Sequence, residues 1–225
     1  MGRKVRYISA VLVIFDCDGV LVDSEPLSNA CFSAALKREG LDWSVEETMR
    51  RLMGRSMKSC VEIVEGVLGR TLPADFVDRL QVETLQRFRD APLQAVAGVA
   101  EAIDALAAAG VEACVASSGG HDKMAVSLGV TGLRPRFDGR IFSASEVKRG
   151  KPFPDLFLHA AISMNVQPFD CVVVEDSVPG VQAARAAGMR VFAYAGAPYA
   201  DRDGLGAAGG FLFNDMRQLA ELVRE

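Results

Sequence analysis

The sequence predicts an α/β protein: a doubly wound parallel sheet with an all-helical segment inserted after the first strand. Three observations carry that prediction. Short continuous apolar runs alternate with amphipathic stretches over most of the chain, the pattern of strands buried on both faces and of the helices that cover them. Between about Pro26 and Ala91 that rhythm stops and only helical patterns remain. Acidic residues, serines and glycines follow the apolar runs, and in doubly wound sheets the reactive groups gather at the carboxyl ends of the strands.

The first run, Val11-Leu12-Val13-Ile14-Phe15, is β-branched-rich and too short for a helix. Helical patterns then cover residues 30–39, 45–53, 58–68 and 74–89, separated by Gly40, by Gly54 and by Gly69-Arg70-Thr71-Leu72-Pro73. Val99, Ile103, Leu106 and Ala109 share one helical face, and Gly110 follows as its C-cap. The second strand is expected at residues 111–116. Leu156, Phe157, Ala160, Ala161 and Met164 form another apolar face after Pro154, a residue suited to a first helical turn. Further strands are expected at 171–174 and 189–193, with a weaker run at 210–213. The expected domains are a core of residues 1–24 and 92–225, with right-handed crossovers, and a helical cap of residues 25–91.

Composition narrows the function. Of 225 residues, 50% are apolar and 24% charged, which excludes a disordered or collagen-like chain. Lysine and arginine number 25 against 29 acidic residues, a net charge of −4, so charge gives no case for a nucleic acid or membrane partner. No apolar run approaches the ~20 residues that a membrane span needs. The start, Met1-Gly2-Arg3-Lys4-Val5-Arg6 and then residues 10–15, imitates a signal peptide but ends in Asp16-Cys17-Asp18 instead of a small-residue cleavage site. Cys17, Cys31, Cys60, Cys114 and Cys171 are odd in number and scattered, as expected of free thiols in a cytoplasmic protein. A monomer is expected, acting on a small molecule.

The chemistry sits after the strands. The first is followed by Asp16-Cys17-Asp18-Gly19; two carboxylates this close at the end of a buried strand need a cation or a shared proton. The second is followed by Ser117-Ser118-Gly119-Gly120, hydroxyls and backbone N–H groups at a helix start, suited to an anion. Glu175-Asp176-Ser177 ends a later strand, and Lys151 stands in Gly150-Lys151-Pro152-Phe153-Pro154-Asp155. Oxygen ligands favour Mg²⁺, and a metal, a lysine and a Ser/Gly loop make a phosphoryl site. No GxxxxGK[ST] or GxGxxG occurs.

These residues resemble the haloacid dehalogenase superfamily, in its branch of phosphatases and β-phosphoglucomutases. The four signatures occur in order: Asp16-x-Asp18-Gly19-x-Leu21-x-Asp23-Ser24-Glu25, Ser117, Lys151-Pro152-x-Pro154-Asp155, and Glu175-Asp176-Ser177-x-x-Gly180. With the helical insert, the resemblance covers nearly the whole chain. It implies a Rossmann-like core in which Asp16 is a nucleophile that forms an aspartyl-phosphate, and Asp18 a general acid and then a general base. It further implies Mg²⁺ between Asp16, the backbone carbonyl of Asp18 and Asp176, with Glu175 close by, directly or through water. Ser117 and Lys151 would hold the phosphoryl oxygens, with Ser118 beside them. The activity implied is a Mg²⁺-dependent phosphatase for a sugar or sugar-acid phosphate. A phosphosugar mutase is the alternative, and a non-catalytic binding protein on the same fold a more distant one.

Other residues have plainer readings. Asp23 and Ser24 fit the turn into the insert, Asp155 a helix start or equally a member of the site, and His159 packing or the surface. His121 follows the anion loop, within reach of a substrate, but a plain structural role is the favoured reading. Cys17 has acidic neighbours that raise its pKa, so packing is expected. Met49, Met53 and Met57 fit packing inside the insert. Gly119 stands where many relatives carry a polar side chain, which removes a substrate contact. In Gly54-Arg55-Ser56, where β-phosphoglucomutases present a substrate loop, Arg55 is the expected specificity residue, since a guanidinium grips a second anionic group bidentately. The run 118–124 is similar to that of phosphogluconate phosphatases.

Overall fold

The computed structural model describes residues 12–53, 55, 57–91 and 93–224. Outside them lie the basic start of the chain, Val11 of the first expected strand, and Gly54 and Ser56 on either side of Arg55. Six strands run β1 (Leu12–Phe15), β2 (Glu112–Ser117), β3 (Ile141–Ser143), β4 (Cys171–Glu175), β5 (Arg190–Tyr194) and β6 (Phe211–Phe213). The helices are α1 (Glu25–Arg38), α2 (Val45–Leu52), α3 (Met57–Leu68), α4 (Phe76–Asp90), α5 (Val99–Ala108), α6 (His121–Val130), α7 (Asp155–Ser163), α8 (Val178–Ala186), α9 (Arg202–Ala207) and α10 (Leu219–Leu222). Among the described residues no helix is long and apolar enough to cross a membrane.

The chain forms two compact units, one holding it up to Val22 and from Ala95 onward, the other Asp23–Gln94. In the first, every strand pairing is parallel and the order is β3-β2-β1-β4-β5-β6. The order reverses between β1 and β4, the switch point where open α/β sheets bind ligands. β1 and β4 are buried along their whole length, which explains their unbroken apolar sequences. Successive side chains point to opposite faces. Leu12, Ile14, Cys171 and Val173 pack with Leu156, Phe157, Ala160 and Ala161 of α7 and with Val181, Ala183 and Ala184 of α8. On the alternate positions, Phe15 meets Phe137 edge to face at 6.1 Å.

Two expectations change. β3 has no counterpart in the sequence reading: three residues at a sheet edge, Ile-Phe-Ser, are too short to show a period. α1 begins at Glu25 and not at Ala30, because Pro26 occupies its first turn, where a missing N–H costs nothing. Gly110 has φ +75 just after α5, the conformation expected of a residue that ends a helix. The second unit is all-helical around its own core, in which Phe32, Ala35 and Leu36 of α1 cluster with Leu52, Cys60, Val64, Leu72, Phe76 and Leu80.

Candidate functional site

Register sets which residues meet at the strand ends. Phe15 pairs with Val115 on one side and Val174 on the other, which brings Asp16 beside Glu175. Ser117 pairs with Ser143. Asp16 N donates to Val174 O at 2.9 Å, continuing the ladder one residue past β1. The chain then turns tightly, with Gly19 N donating to Val22 O (2.8 Å) and Val22 N to Cys17 O (3.0 Å). Gly19 has φ +76, and a Cβ there would stand 1.9 Å from Asp176 Oδ2. The backbone of the first loop therefore lies directly against the Asp176 carboxylate, and only glycine satisfies both the turn and the contact.

Lys151 holds the first and fourth motifs together. Its Nζ donates to Asp16 Oδ1 at 2.8 Å and to Glu175 Oε1 at 2.6 Å, with 5% of its side chain exposed. The ammonium also lies 5.0 Å from the centre of the Phe157 ring. Glu175 is fully buried. Its Oε2 accepts from Asp176 N (2.9 Å), Ser177 N (2.8 Å) and Ser177 Oγ (2.9 Å). Both oxygens of this carboxylate are engaged, Oε1 with Lys151 and Oε2 with the loop that carries Asp176.

Burial pushes the Asp16 carboxyl up to about 7; Lys151 opposes the rise and Glu175 adds to it. Burial works against the charge of Lys151, but Asp16 and Glu175 outweigh it and hold its pKa above the ordinary value. Asp16, Glu175 and Asp176 each offer an oxygen, and these lie within 4.8 Å of one another. One buried ammonium does not balance three carboxylates, and an all-oxygen set with excess negative charge suits a hard dication. The residues present fit Mg²⁺.

The second motif is braced from both sides. Ser117 is buried, and its Oγ accepts from Gly119 N at 3.0 Å. Ser143 Oγ donates to Gly119 O at 2.8 Å. Ser118 is exposed. Gly120 caps α6 without a side chain, which leaves backbone N–H groups at this helix start for an anion to use. Asp18 lies here as well, with Lys123 Nζ donating to its Oδ2 at 2.8 Å.

Of the other expected residues, Arg55 lies in the helical unit, exposed, with Nε donating to Arg51 O at 2.9 Å. Asp155 pairs with Arg149 at 2.7 and 3.1 Å at the start of α7. His121 and His159 both meet Glu146 through Nε2. Cys17 is buried, and burial followed by the charges of Asp18 and Asp16 raises its thiol pKa well above the ordinary value. Sequence reasoning gives Lys123 no role beyond its place in the run 118–124, and passes over Ser143. Lys123 carries a faint signal, as a lysine in the first turn of the helix after the anion loop. Ser143 carries none, since β3 itself is invisible in the pattern.

Gly180 offers a test of this arrangement. A Cβ there would stand 1.8 Å from Glu175 Oε1, so alanine must push the carboxylate away from Lys151. Gly180→Ala is expected to destabilise the protein by about 1–3 kcal/mol, the usual cost of overpacking. It should also lower turnover at least tenfold, a loss of roughly 1.4 kcal/mol in transition-state stabilisation. Thermal melting and phosphate release check this; unchanged values for both would refute the arrangement.

With the geometry in view, comparison with known proteins is direct. The family model for haloacid dehalogenase-like hydrolases matches residues 11–188. The 6-phosphogluconate phosphatase of Escherichia coli is 34% identical over 187 residues, 83% of each chain. A fructose-1-phosphate phosphatase of the same organism is 33% identical over 183 residues, 79% of this chain and 92% of its own. The crystal structure of a haloacid dehalogenase-like protein of unknown function from Agrobacterium tumefaciens superposes with a TM-score of 0.84 at 35% identity, covering 95% of this chain and 97% of that one. A family model that spans most of the sequence, with relatives alike over nearly their full lengths, leaves one conclusion: the chain belongs to the haloacid dehalogenase-like hydrolases.

Proposed function

We propose that this enzyme is a Mg²⁺-dependent phosphatase that hydrolyses a sugar or sugar-acid phosphate through an aspartyl-phosphate on Asp16. The observation that carries the reading is the meeting of Asp16, Glu175, Asp176 and Lys151 at the sheet's switch point. The sugar-phosphate class is supported by the two relatives that act on 6-phosphogluconate and fructose 1-phosphate.

Asp16 and Asp176, with the backbone carbonyl of Asp18, would hold Mg²⁺, and Glu175 would keep Lys151 and the Asp176 loop in place. When bound, the ion draws charge off the phosphoryl oxygens and keeps Asp16 ionised. Asp16 Oδ attacks phosphorus, and the bond to the leaving oxygen breaks as Asp18 gives that oxygen its proton. Lys151, Ser117 and the N–H groups of the 117–120 loop hold the phosphoryl oxygens as charge develops. Asp18 then takes a proton from water as its oxygen attacks the aspartyl-phosphate, which frees phosphate and restores Asp16.

EDTA is expected to abolish phosphate release and Mg²⁺ to restore it, while Ca²⁺, with its looser coordination, inhibits. Full activity in chelator would sink the metal assignment. The two aspartates separate by acid-quench labelling. Asp16→Asn should remove both turnover and labelled phospho-enzyme. Asp18→Asn should slow turnover ~10²–10⁴-fold, the usual scale of acid–base catalysis, and let label accumulate. Label retained without Asp16 would mean that the nucleophile is another residue. Arg55 is the proposed specificity residue: Arg55→Ala should raise KM for the physiological ester and spare p-nitrophenyl phosphate, and equal losses on both would remove it from that role.

A further inference from the structure

Gly119 and Gly120 stand side by side in the anion loop, and the peptide that joins them is held by a residue outside the four motifs. Ser143, at the end of β3, is fully buried. Its Oγ donates to Gly119 O at 2.8 Å, and it accepts from Ser145 N at 3.2 Å and from Ser145 Oγ at 2.9 Å. A serine hydroxyl has one proton to give and two lone pairs to fill. This one is saturated, and its proton is committed to the Gly119 carbonyl. Gly119 N in turn donates to Ser117 Oγ at 3.0 Å.

A trans peptide carries its C=O and N–H on opposite edges of one plane. Lys151–Pro152 is the only cis bond among the described residues, so the N–H of Gly120 points away from the oxygen that Ser143 holds. Among the described residues that N–H meets no acceptor. The peptide has a second orientation open to it. A flip rotates ψ of Gly119 and φ of Gly120 together and puts the carbonyl where the N–H had been. Gly120 has φ −69 and ψ 160; after a flip its φ is positive at nearly the same ψ, a region that essentially glycine alone enters. Two adjacent glycines therefore leave the direction of this dipole unfixed by sterics. An anion is attracted by one orientation and repelled by the other.

We propose that Ser143 is a positioning residue that keeps the Gly119–Gly120 peptide from flipping, so that the loop presents Gly120 N–H, and not Gly119 O, to the phosphoryl group. The inference rests on the reading above that the N–H groups of the 117–120 loop hold the phosphoryl oxygens. Ser143 acts through the loop, so its effect should fade once the flip is closed by other means. Gly120→Ala closes it: a Cβ there meets nothing within 4 Å, and alanine is excluded from the flipped conformation.

The test is a double-mutant cycle of Ser143→Ala and Gly120→Ala, read as turnover of p-nitrophenyl phosphate with Mg²⁺ and as calorimetric binding of inorganic phosphate. Ser143→Ala should slow turnover ~10–100-fold, part of the ~10²–10³-fold that a lost donor costs, because the competent orientation is then only a fraction of the population. Phosphate should bind ~5–10-fold more weakly for the same reason. In the Gly120→Ala background the same change should cost less than about threefold in both readouts. Gly129→Ala, in the body of α6 where a Cβ also meets nothing within 4 Å, is the control. Alanine for glycine stabilises there too but leaves the loop free to flip, so Ser143→Ala should cost as much as it does in the wild type. If Ser143→Ala does not fold, Ser143→Cys, a weaker donor, takes its place with losses in the same direction. Equal cost in the wild-type and Gly120→Ala backgrounds, rescue by Gly129→Ala as well, or unchanged turnover and phosphate affinity would each overturn the inference. A wild-type enzyme that binds phosphate but hydrolyses no ester would overturn the phosphatase reading, while the binding cycle still decides the inference. Hydrolysis with an additive cycle overturns the inference alone.

Discussion

Lys151 Nζ lies between Asp16 and Glu175 in a space almost closed to water, and the positions of both neighbouring motifs follow from that contact. A charge taken out of water costs several kcal/mol unless its partners are well placed, and removing one partner of a buried pair costs about 3–5 kcal/mol. Glu175 meets that demand because its far oxygen is tied to the backbone of Asp176 and Ser177. The lysine is thus anchored through a carboxylate that is itself anchored to the main chain. Donors arranged this way need no reorganisation when charge develops on a substrate, which is the property that makes electrostatic catalysis effective.

The sheet supplies the rest of the precision. β1 and β4 are central and fully buried, and each ends in a site residue or one residue before it. β2 and β3 lie on one side of β1 and deliver Ser117 and Ser143, which brace the anion loop between them. Helix starts follow β2 and β4 directly, so acidic and hydroxyl side chains at the strand ends share space with backbone N–H groups.

Much of this was legible in the sequence because burial on both faces leaves an unmistakable mark. Val172-Val173-Val174 and Leu12-Val13-Ile14 can hardly be anything but interior parallel strands, and the polar residues after them inherit their positions from the strand ends. β3 was hidden because an edge strand of three residues needs no pattern of its own. α1 starts earlier than its expected helical pattern at 30–39, because a first turn accepts Pro26. The hydrogen bonds of Glu175 to Lys151 and to the backbone after it are invisible in the sequence, because they depend on where the loops meet. The contact of Lys123 with Asp18 shows the limit most clearly, because the two lie in different parts of the sequence and meet only in the fold.

The pairing of β1 bears on how the chain reaches this structure. Leu12 pairs with Glu112 and Cys171, so a fully buried strand is made well before either of its partners. Between them lies the helical unit, whose core is drawn wholly from its own residues. Contacts so distant in sequence slow folding, because loop closure precedes any gain. During synthesis an apolar segment of high β-propensity is left without its neighbours, the kind of species on which aggregation feeds. The aspartates that follow β1 place negative charge right beside that segment, so residues needed for chemistry in the finished protein also act as gatekeepers while it is being made.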